Sequence, residues 1–298
     1  MKIRLTDALF ALPQYLLPHH LLSRFMGLLT RSQNRFWKNL FIKWFVWHYR
    51  VDLSEAEQLD PGAYPSFNRF FTRALKSGVR PMPEDPAVIV SPADGVVSQF
   101  GAITDGEIIQ AKGKTYGVAE LLGGNVRQAE AFRGGRFATI YLSPRDYHRL
   151  HMPIAGRLEA MVHVPGRLFS VNAATTAVIP NLFARNERVI AFFETEAGPM
   201  ALVLIGALFV ASIETVWHGV VTPPKGQRIR TWRYQDGAPL LQRGEELGRF
   251  NMGSTIIVLF GEQRIEWGDH LSSGAAIRMG QPIGVMNAPV FSASTKHG

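Results

Sequence analysis

Two closely spaced histidines are the first residues of this sequence that could do chemistry. The segment Tyr141–Pro153 reads Tyr-Leu-Ser-Pro-Arg-Asp-Tyr-His-Arg-Leu-His-Met-Pro and places His148 and His151 three positions apart. Imidazole titrates near neutral pH, so acid–base chemistry is the natural function of such a pair. A metal site would need a third ligand, which no residue supplies at a persuasive spacing, so no metal is expected. Two ordinary surface histidines remain the alternative.

A carboxylate and a hydroxyl elsewhere could complete a catalytic set. Asp94 lies in Ser-Pro-Ala-Asp-Gly, directly after the apolar run Val88–Val90, and Ser254 lies in Met-Gly-Ser-Thr at the start of a very apolar run. An aspartate near a histidine can orient it, as the third member of a triad does. Met252 and Ile256 occupy the positions where the nucleophile elbow of hydrolases has glycine. Taken singly, each motif is also an ordinary turn beside a strand.

Composition excludes several classes of protein. The 298 residues are 46% hydrophobic and 19% charged, which excludes disorder for most of the chain. Cysteine is absent, which excludes disulfide scaffolds, thiolate zinc sites and cysteine nucleophiles. The net charge of +8 is concentrated at one end, because residues 1–50 hold eight Lys or Arg and one acid. Such a basic end indicates an anionic partner, either nucleic acid or membrane.

The aromatic content of this basic end favours a membrane over nucleic acid. Residues 36–49 contain three of the six tryptophans, and helical spacing places these with Leu40 and Phe41 on one face. Interfacial helices combine such aromatics with basic residues that meet anionic lipid, so no nucleic-acid partner is expected. The residues predicted to contact the membrane are Trp37, Lys38, Phe41, Lys43, Trp44 and Trp47. The alternative is that these helices only pack on the body of the protein.

No segment has the length and composition of a transmembrane span. The longest uncharged run near the start, residues 8–23, contains Pro13 and Pro18, and a span needs about 20 mainly apolar residues. The same prolines argue against a cleavable signal peptide. Deleting residues 1–50 is expected to release the protein from vesicles.

The rest of the chain is predicted to be rich in strands. Short β-branched and aromatic runs alternate with Gly, Pro and Asp turns, which favours strands. Helical periodicity is convincing only in the first 80 residues, with one further candidate at Gly117–Leu122. The predicted class is α+β, with helical residues 1–80 at the membrane surface and a β-rich catalytic domain in residues 81–298. The predicted strands are Val88–Val90, Phe137–Leu142, Ala201–Ile205, Phe209–Ile213 and Thr255–Phe260.

Several motifs in fixed order resemble the proteobacterial phosphatidylserine decarboxylases, a pyruvoyl-dependent family. The resemblance runs through nearly the whole chain, and Met252 stands where the family usually has leucine, which is a volume-conserving change. The segments that carry it are Phe67–Pro81, Ser91–Gly95, Tyr141–Pro153, Pro165–Asn172, Pro180–Arg188 and Gly244–Gly248 leading to Gly253–Thr255.

The resemblance implies a self-cleaving proenzyme. Ser254 would attack the carbonyl of Gly253, and cleavage would give a β chain (1–253) and an α chain (254–298) that stay associated. By similarity Asp94, His151 and Ser254 form the charge-relay set, and residue 254 becomes a covalent pyruvoyl cofactor, with neither metal nor pyridoxal phosphate. Phosphatidylserine would be decarboxylated to phosphatidylethanolamine and CO₂ through a Schiff base, with His148 as the candidate proton donor.

The resemblance also implies a cellular location and binding partners. The protein would be peripheral at the cytoplasmic face of the cell membrane, bound to phosphatidylserine-containing lipid, and a homodimer is compatible with this. Asn172 and the Arg185–Arg188 stretch are candidate headgroup contacts. Two other functions are weighed from the residues alone. A serine hydrolase using Ser254, His151 and Asp94 would keep an intact chain, and a membrane-binding module would tolerate Ser254→Ala.

Overall fold

The computed structural model describes residues 4–209, 212–223 and 227–287. The helices are concentrated in the first 71 residues, as predicted, and the later ones are short. Two 3₁₀ turns cover Leu12–Leu16 and Pro61–Ala63. The α-helices are α1 Leu5–Ala11, α2 His19–Arg31, α3 Arg35–Tyr49, α4 Phe67–Phe71, α5 Val118–Leu121, α6 Val126–Glu130, α7 Ala173–Val178 and α8 Leu182–Arg185.

Strands make up most of the regular secondary structure of the described body, which confirms the α+β class. The strands are β1 Val88–Val90, β2 Gly95–Ala102, β3 Glu107–Ala111, β4 Lys114–Gly117, β5 Arg136–Tyr141, β6 Arg149–His151, β7 Gly156–Val164, β8 Arg188–Thr195, β9 Gly198–Ile205, β10 Ser212–Thr215, β11 Gly219–Val220, β12 Arg230–Arg233, β13 Leu240–Leu241, β14 Glu246–Asn251, β15 Thr255–Phe260, β16 Ile265–Trp267, β17 Ala276–Ile277 and β18 Pro282–Met286.

The predicted strands agree with the structure except in one place. β1 and β15 have the predicted bounds, and β5 and β9 differ from theirs by a few residues at their ends. The predicted strand Phe209–Ile213 is wrong at its start, because Phe209 is a turn residue with φ of 67° and the strand begins at Ser212. Residues 210 and 211 lie outside the described ranges. The short helices α6, α7 and α8 were not predicted, since four to six residues are too few to show helical periodicity.

The core lies on both faces of one large sheet. Nine strands form this sheet, with β15 between β9 and β5 in its middle. Side chains of β15 alternate between two hydrophobic clusters, with Ile256, Val258 and Phe260 in one and Ile257 and Leu259 in the other. Burial on both faces explains why β15 reads as a continuous apolar run rather than an alternating one. Ser254 immediately precedes this buried strand.

Two chain crossings between sheets create the site. β5 pairs with β15 in the large sheet, and β6 pairs with β14 in a second sheet of four strands. Two of the connections between these sheets are residues 142–148, which join β5 to β6, and residues 252–254, which join β14 to β15. The backbone carbonyl of His148 accepts a hydrogen bond from the Phe250 amide at 3.1 Å, which holds the two connections side by side.

Helix α3 contributes to the protein core as well as to the surface. Asn34 caps its N-terminus by accepting a hydrogen bond from the Trp37 amide. Its Ile42 and Phe45 are buried in an aromatic cluster with three phenylalanines of α4: Phe67, Phe70 and Phe71. Deleting residues 1–50 would uncover this cluster, so the truncation is also expected to destabilise the body.

The outer face of the N-terminal helices carries exposed apolar side chains. Trp47 is 75% exposed and Phe36, which was not among the predicted membrane contacts, is 81% exposed. Trp44 and Lys43 also face outward, whereas Trp37 and Phe41 are half-buried. Within the described ranges, no helix is both long and apolar enough to cross a membrane.

Lys38 does not face outward as expected. It is only 6% exposed, and its Nζ donates hydrogen bonds to the Gly62 carbonyl oxygen at 2.8 Å and to Asn39 Oδ1 at 2.7 Å. Because the ammonium group of Lys38 is hydrogen-bonded within the protein, Lys38 is a structural residue. It is removed from the set of predicted membrane contacts.

Candidate active site

The turn between β14 and β15 has an unusual backbone. Met252 has φ of 86° and Gly253 has φ of 24°, so two successive residues lie at positive φ. Such angles are rarely adopted by a residue with a side chain, and they cost on the order of 1–3 kcal/mol at a non-glycine position. A methyl group built on Gly253 would lie 3.1 Å from His148 Nε2 and 3.7 Å from Phe71 Cζ. Glycine at 253 therefore satisfies both the backbone angle and the limited space.

Ser254 is buried at the end of this turn. The residue is 2% exposed, and its backbone carbonyl oxygen accepts a hydrogen bond from the Leu142 amide at 2.8 Å. In the part of the chain that the structure describes, its Oγ has no hydrogen-bond partner. A buried hydroxyl without a partner is costly in a fold, and such groups gather where chemistry needs them.

His148 is the histidine nearest to Gly253. Its Nδ1 lies 2.8 Å from the Asp146 backbone carbonyl oxygen, which can only accept, so Nδ1 carries the proton and Nε2 carries the lone pair. Nε2 is buried and without a partner among the described residues. The ring packs on Phe71 with centroids 4.0 Å apart. Burial, reinforced by the charge of Arg73, lowers the pKa of His148 to about 3, so the imidazole is neutral at physiological pH.

His151 has two partners. Its Nδ1 donates to the Gly244 carbonyl oxygen at 2.8 Å, and its Nε2 accepts from the Tyr147 hydroxyl at 3.0 Å. Burial lowers the pKa of His151, while the hydrogen bond to Gly244 and the negative charge of Glu246 oppose that effect. Tyr147 was missed at the sequence level, although it lies inside the histidine motif, since a tyrosine between charged residues carries no distinctive signal.

Asp94 belongs to an ion-pair network next to His151. Its carboxylate accepts a hydrogen bond from Arg80 Nη2 at 2.8 Å and another from the Met279 amide at 2.8 Å. Arg80 also pairs with Glu55 at 2.9 Å. The backbone amide of His151 donates to the Pro92 carbonyl oxygen at 2.8 Å, so the two predicted relay residues come from adjacent segments.

The structure therefore brings some predicted residues together and keeps others apart. His148, Gly253 and Ser254 meet at one point, whereas Asp94 and His151 meet other partners. Among the described residues, neither a hydrogen bond between Asp94 and His151 nor one from either residue to Ser254 is formed. The predicted relay is thus not hydrogen-bonded in the uncut chain.

A mainly apolar cavity of about 180 Å³ reaches from α3 to Ser254. Phe45 and Tyr49 of α3 line it, as do Gly253 and Ser254. The remaining lining includes Asn172, one of the candidate headgroup contacts. Asn172 also caps α7 through hydrogen bonds from the Ala174 and Thr175 amides, so its side-chain oxygen is partly committed.

The other candidate headgroup contacts lie away from this cavity. Arg188 is buried, and its guanidinium donates to backbone carbonyl oxygens of Leu121, Ala184, Asn186 and Glu120. Burial lowers the pKa of Arg188 to about 10. Arg185 donates to the Tyr15 hydroxyl at 3.0 Å and so ties the body to the N-terminal region. Both arginines serve the fold in this structure.

The chain is similar to known proteins of one family. A family model described as phosphatidylserine decarboxylase matches residues 67–285, and a second, described as PSD, matches residues 9–50. A protein of Pseudomonas fluorescens is 57% identical over 93% of this chain and 97% of its own length. Proteins of Ectopseudomonas mendocina and Stutzerimonas stutzeri are 56% and 54% identical over 93% of this chain, and cover 97% and 94% of their own lengths. All three are named phosphatidylserine decarboxylase proenzyme.

Proposed function

The chain belongs to the phosphatidylserine decarboxylase family, and from this premise we propose that it cleaves itself between Gly253 and Ser254 and then acts on phosphatidylserine at a membrane surface. The family reaction converts phosphatidylserine to phosphatidylethanolamine and CO₂. As a proenzyme of this family, the chain yields a β chain and an α chain, with a pyruvoyl group derived from serine. That group supplies a carbonyl that accepts electrons when the substrate carboxylate departs as CO₂.

One observation carries the proposal. Ser254 Oγ and His148 Nε2 are both buried and unpartnered within the described ranges, and both residues adjoin Gly253, which has positive φ. Buried polar atoms without a partner cost free energy, and two of them at one glycine turn support a reactive role for this turn. The adjoining cavity offers space for a group formed at residue 254, so the residues present fit the family cofactor.

The cleavage chemistry uses atoms of this chain and one water molecule. Ser254 Oγ loses its proton to a base and bonds to the carbonyl carbon of Gly253, while the amide C–N bond breaks and its nitrogen takes a proton. The resulting ester is then eliminated: a base removes the Cα proton of residue 254, and Gly253 leaves as a carboxylate with the C–O electron pair. Water then replaces the nitrogen of the dehydroalanine, and ammonia leaves.

We propose His151, assisted by Asp94, as the base that activates Ser254. Serine is a poor nucleophile without a base, and a carboxylate can hold the imidazole in orientation. The negative charge of Asp94 raises the pKa of His151 against the larger effect of burial. This assignment requires His151 to exchange its bond with Tyr147 for one with Ser254 when the site becomes reactive.

A specific observation favours His148 as a second candidate for this base. Its unprotonated Nε2 already faces Gly253, and it needs no rearrangement to come near the cleavage site. The proposed role of His148 after cleavage is different, namely to donate a proton to the substrate carbon once CO₂ has left. Cleavage rates of His148→Ala and His151→Ala separate these roles.

Membrane association is proposed from the exposed aromatic face and the charge of the N-terminal helices. Trp44, Trp47 and Phe36 are exposed, and two other residues of α3, Phe45 and Tyr49, line the cavity that reaches Ser254. A substrate with two acyl chains leaves a bilayer only at about 0.8 kcal/mol per exposed CH₂, so the enzyme is expected to take the headgroup at the surface. We propose a peripheral position on the cytoplasmic face of the cell membrane, and a homodimer as one assembly to be tested.

The test measures phosphatidylethanolamine formed from vesicles that contain phosphatidylserine. Wild type is expected to be active, and Ser254→Ala is expected to be inactive because it has neither the nucleophile nor the cofactor. Ser23→Ala is the matched control, because Ser23 is also buried with an unpartnered Oγ in the described structure, but lies on α2. Full activity of Ser254→Ala would overturn the proposed function.

A further inference from the structure

His148 lacks an anionic partner in the uncut chain. Within residues 4–209, 212–223 and 227–287, its only side-chain hydrogen bond is to the neutral Asp146 carbonyl, and Nε2 is free. The nearest charge that acts on it is the cation of Arg73, which itself donates to two backbone carbonyl oxygens. Both burial and this cation favour the neutral imidazole.

A neutral His148 can accept a proton during self-cleavage, but it cannot donate one during decarboxylation. A group that accepts a proton during cleavage must begin unprotonated, whereas a group that gives a proton to the substrate must begin protonated. With its pKa lowered to about 3, His148 holds almost no proton to give at neutral pH. The proposed donor role therefore requires that its surroundings change after cleavage.

Cleavage produces a new charge beside this imidazole. Before cleavage the carbonyl group of Gly253 belongs to a neutral peptide bond. After elimination it is a free carboxylate. Gly253 lies close to His148, because a methyl group built on it would stand 3.1 Å from Nε2. The carboxylate carbon is bonded to the same Cα, so the new charge arises near the imidazole.

We infer that the carboxylate freed at Gly253 becomes the counter-ion of His148 and holds this histidine in the cationic form that protonates the substrate. The inference deepens the proposed function and rests on it. The proton comes from solvent, resides on Nε2, and moves to the substrate carbon that retains the electron pair after CO₂ leaves. Self-cleavage would thus create the acid of the site as well as its cofactor.

The other groups around His148 do not change charge on cleavage. Arg73 follows α4, and Asp146 and Tyr147 lie in the connection that leads into β6. The Asp146 carboxylate is tied to the Ser143 amide and hydroxyl at 2.7 and 2.8 Å, and Tyr49 and Tyr141 line the adjoining cavity. Burial raises the pKa of Tyr141, so it stays neutral. A difference in the pKa of His148 between the uncut and cut chains therefore reports on the cleavage of the Gly253–Ser254 bond.

The test is the titration of His148 followed by the ¹⁵N signals of its ring. The two samples are uncut Ser254→Ala and cleaved wild type whose pyruvoyl carbonyl has been reduced with borohydride, which keeps the Gly253 carboxylate. Absence of the signals in His148→Gln assigns them. His148 in the cleaved protein is expected to titrate about one to three pH units higher than in the uncut chain. The ring signals of His163, which is also fully buried but pairs with Glu187, serve as the matched control and are expected to be the same in both samples.

Each outcome decides the inference. Equal titration of His148 in the cut and uncut chains would overturn it while leaving cleavage and cofactor formation intact. A wild-type chain that never cleaves would overturn both the inference and the proposed function. A higher pKa of His148 in the cleaved sample, with unchanged His163 signals, supports the inference. A general change in burial would shift the ring signals of His163 as well.

Discussion

His148 Nε2 lies beside Gly253, within 3.1 Å of where a methyl group on that residue would stand. The contact arises because the β5–β6 and β14–β15 connections cross between the same two sheets next to each other. A basic nitrogen, a strained backbone and an unpartnered serine hydroxyl therefore meet at the bond that is proposed to break.

Gly253→Ala is expected to slow self-cleavage about tenfold. The added methyl would press on His148 Nε2 and Phe71, and alanine disfavours positive φ, so about 1–2 kcal/mol is lost at the reactive turn. Gel analysis of the two product chains over time measures the rate. Gly274→Ala is the control, since Gly274 also has positive φ but open space within 4 Å. Equal rates for wild type and Gly253→Ala would contradict this role of the turn.

His151→Ala and His148→Ala are expected to fail at different steps. Loss of the proposed base His151 should slow cleavage by about 10²–10⁴-fold. Loss of His148 should leave a cleaved protein with decarboxylation reduced by a similar factor, and the exposed His270→Ala should change neither step. If His148→Ala blocks cleavage and His151→Ala does not, His148 is the base and the assignment of the relay is wrong.

The elements of the site could be read from the sequence, but the contacts between its side chains could not. β1 and β15 were predicted because apolar runs between turn residues mark buried strands. The burial of Lys38 depends on the Gly62 carbonyl, 24 positions away, and the position of Asp94 depends on Arg80 and Met279. Such partners are set by tertiary packing, which local residue types do not specify.

The uncut chain is expected to lose stability as the pH falls from about 6.5 toward 3. The pKa of His148 is lowered from 6.5 in the unfolded chain to about 3 in the folded one, so acid protonates the unfolded chain first. The contribution of neutral His148 to the free energy of unfolding is complete above pH 6.5. Below that pH it decreases by at most about 1.4 kcal/mol per pH unit. Urea unfolding of Ser254→Ala at several pH values measures it. Adding His148→Gln should flatten this dependence, and an unchanged slope would show that His148 is not its source.

Two lysines of α3 are expected to behave oppositely when replaced by glutamine. Replacing the exposed Lys43 should weaken the binding of the protein to anionic vesicles by about 1 kcal/mol, or roughly fivefold in affinity, without loss of stability. Buried Lys38 should lose about 1–3 kcal/mol of unfolding free energy, because the Gly62 carbonyl loses its partner. Vesicle sedimentation and urea unfolding measure the two effects. Equal vesicle binding by wild type and Lys43→Gln would contradict the proposed membrane face.

The most direct test of the central claim is the intact mass of the purified protein under denaturing conditions. Cleavage at Gly253–Ser254 predicts two chains, residues 1–253 and 254–298, with the smaller one lighter by one ammonia than a chain that begins with serine. A single mass for all 298 residues that persists on incubation, identical to that of Ser254→Ala apart from the substituted oxygen, would contradict self-cleavage in this protein.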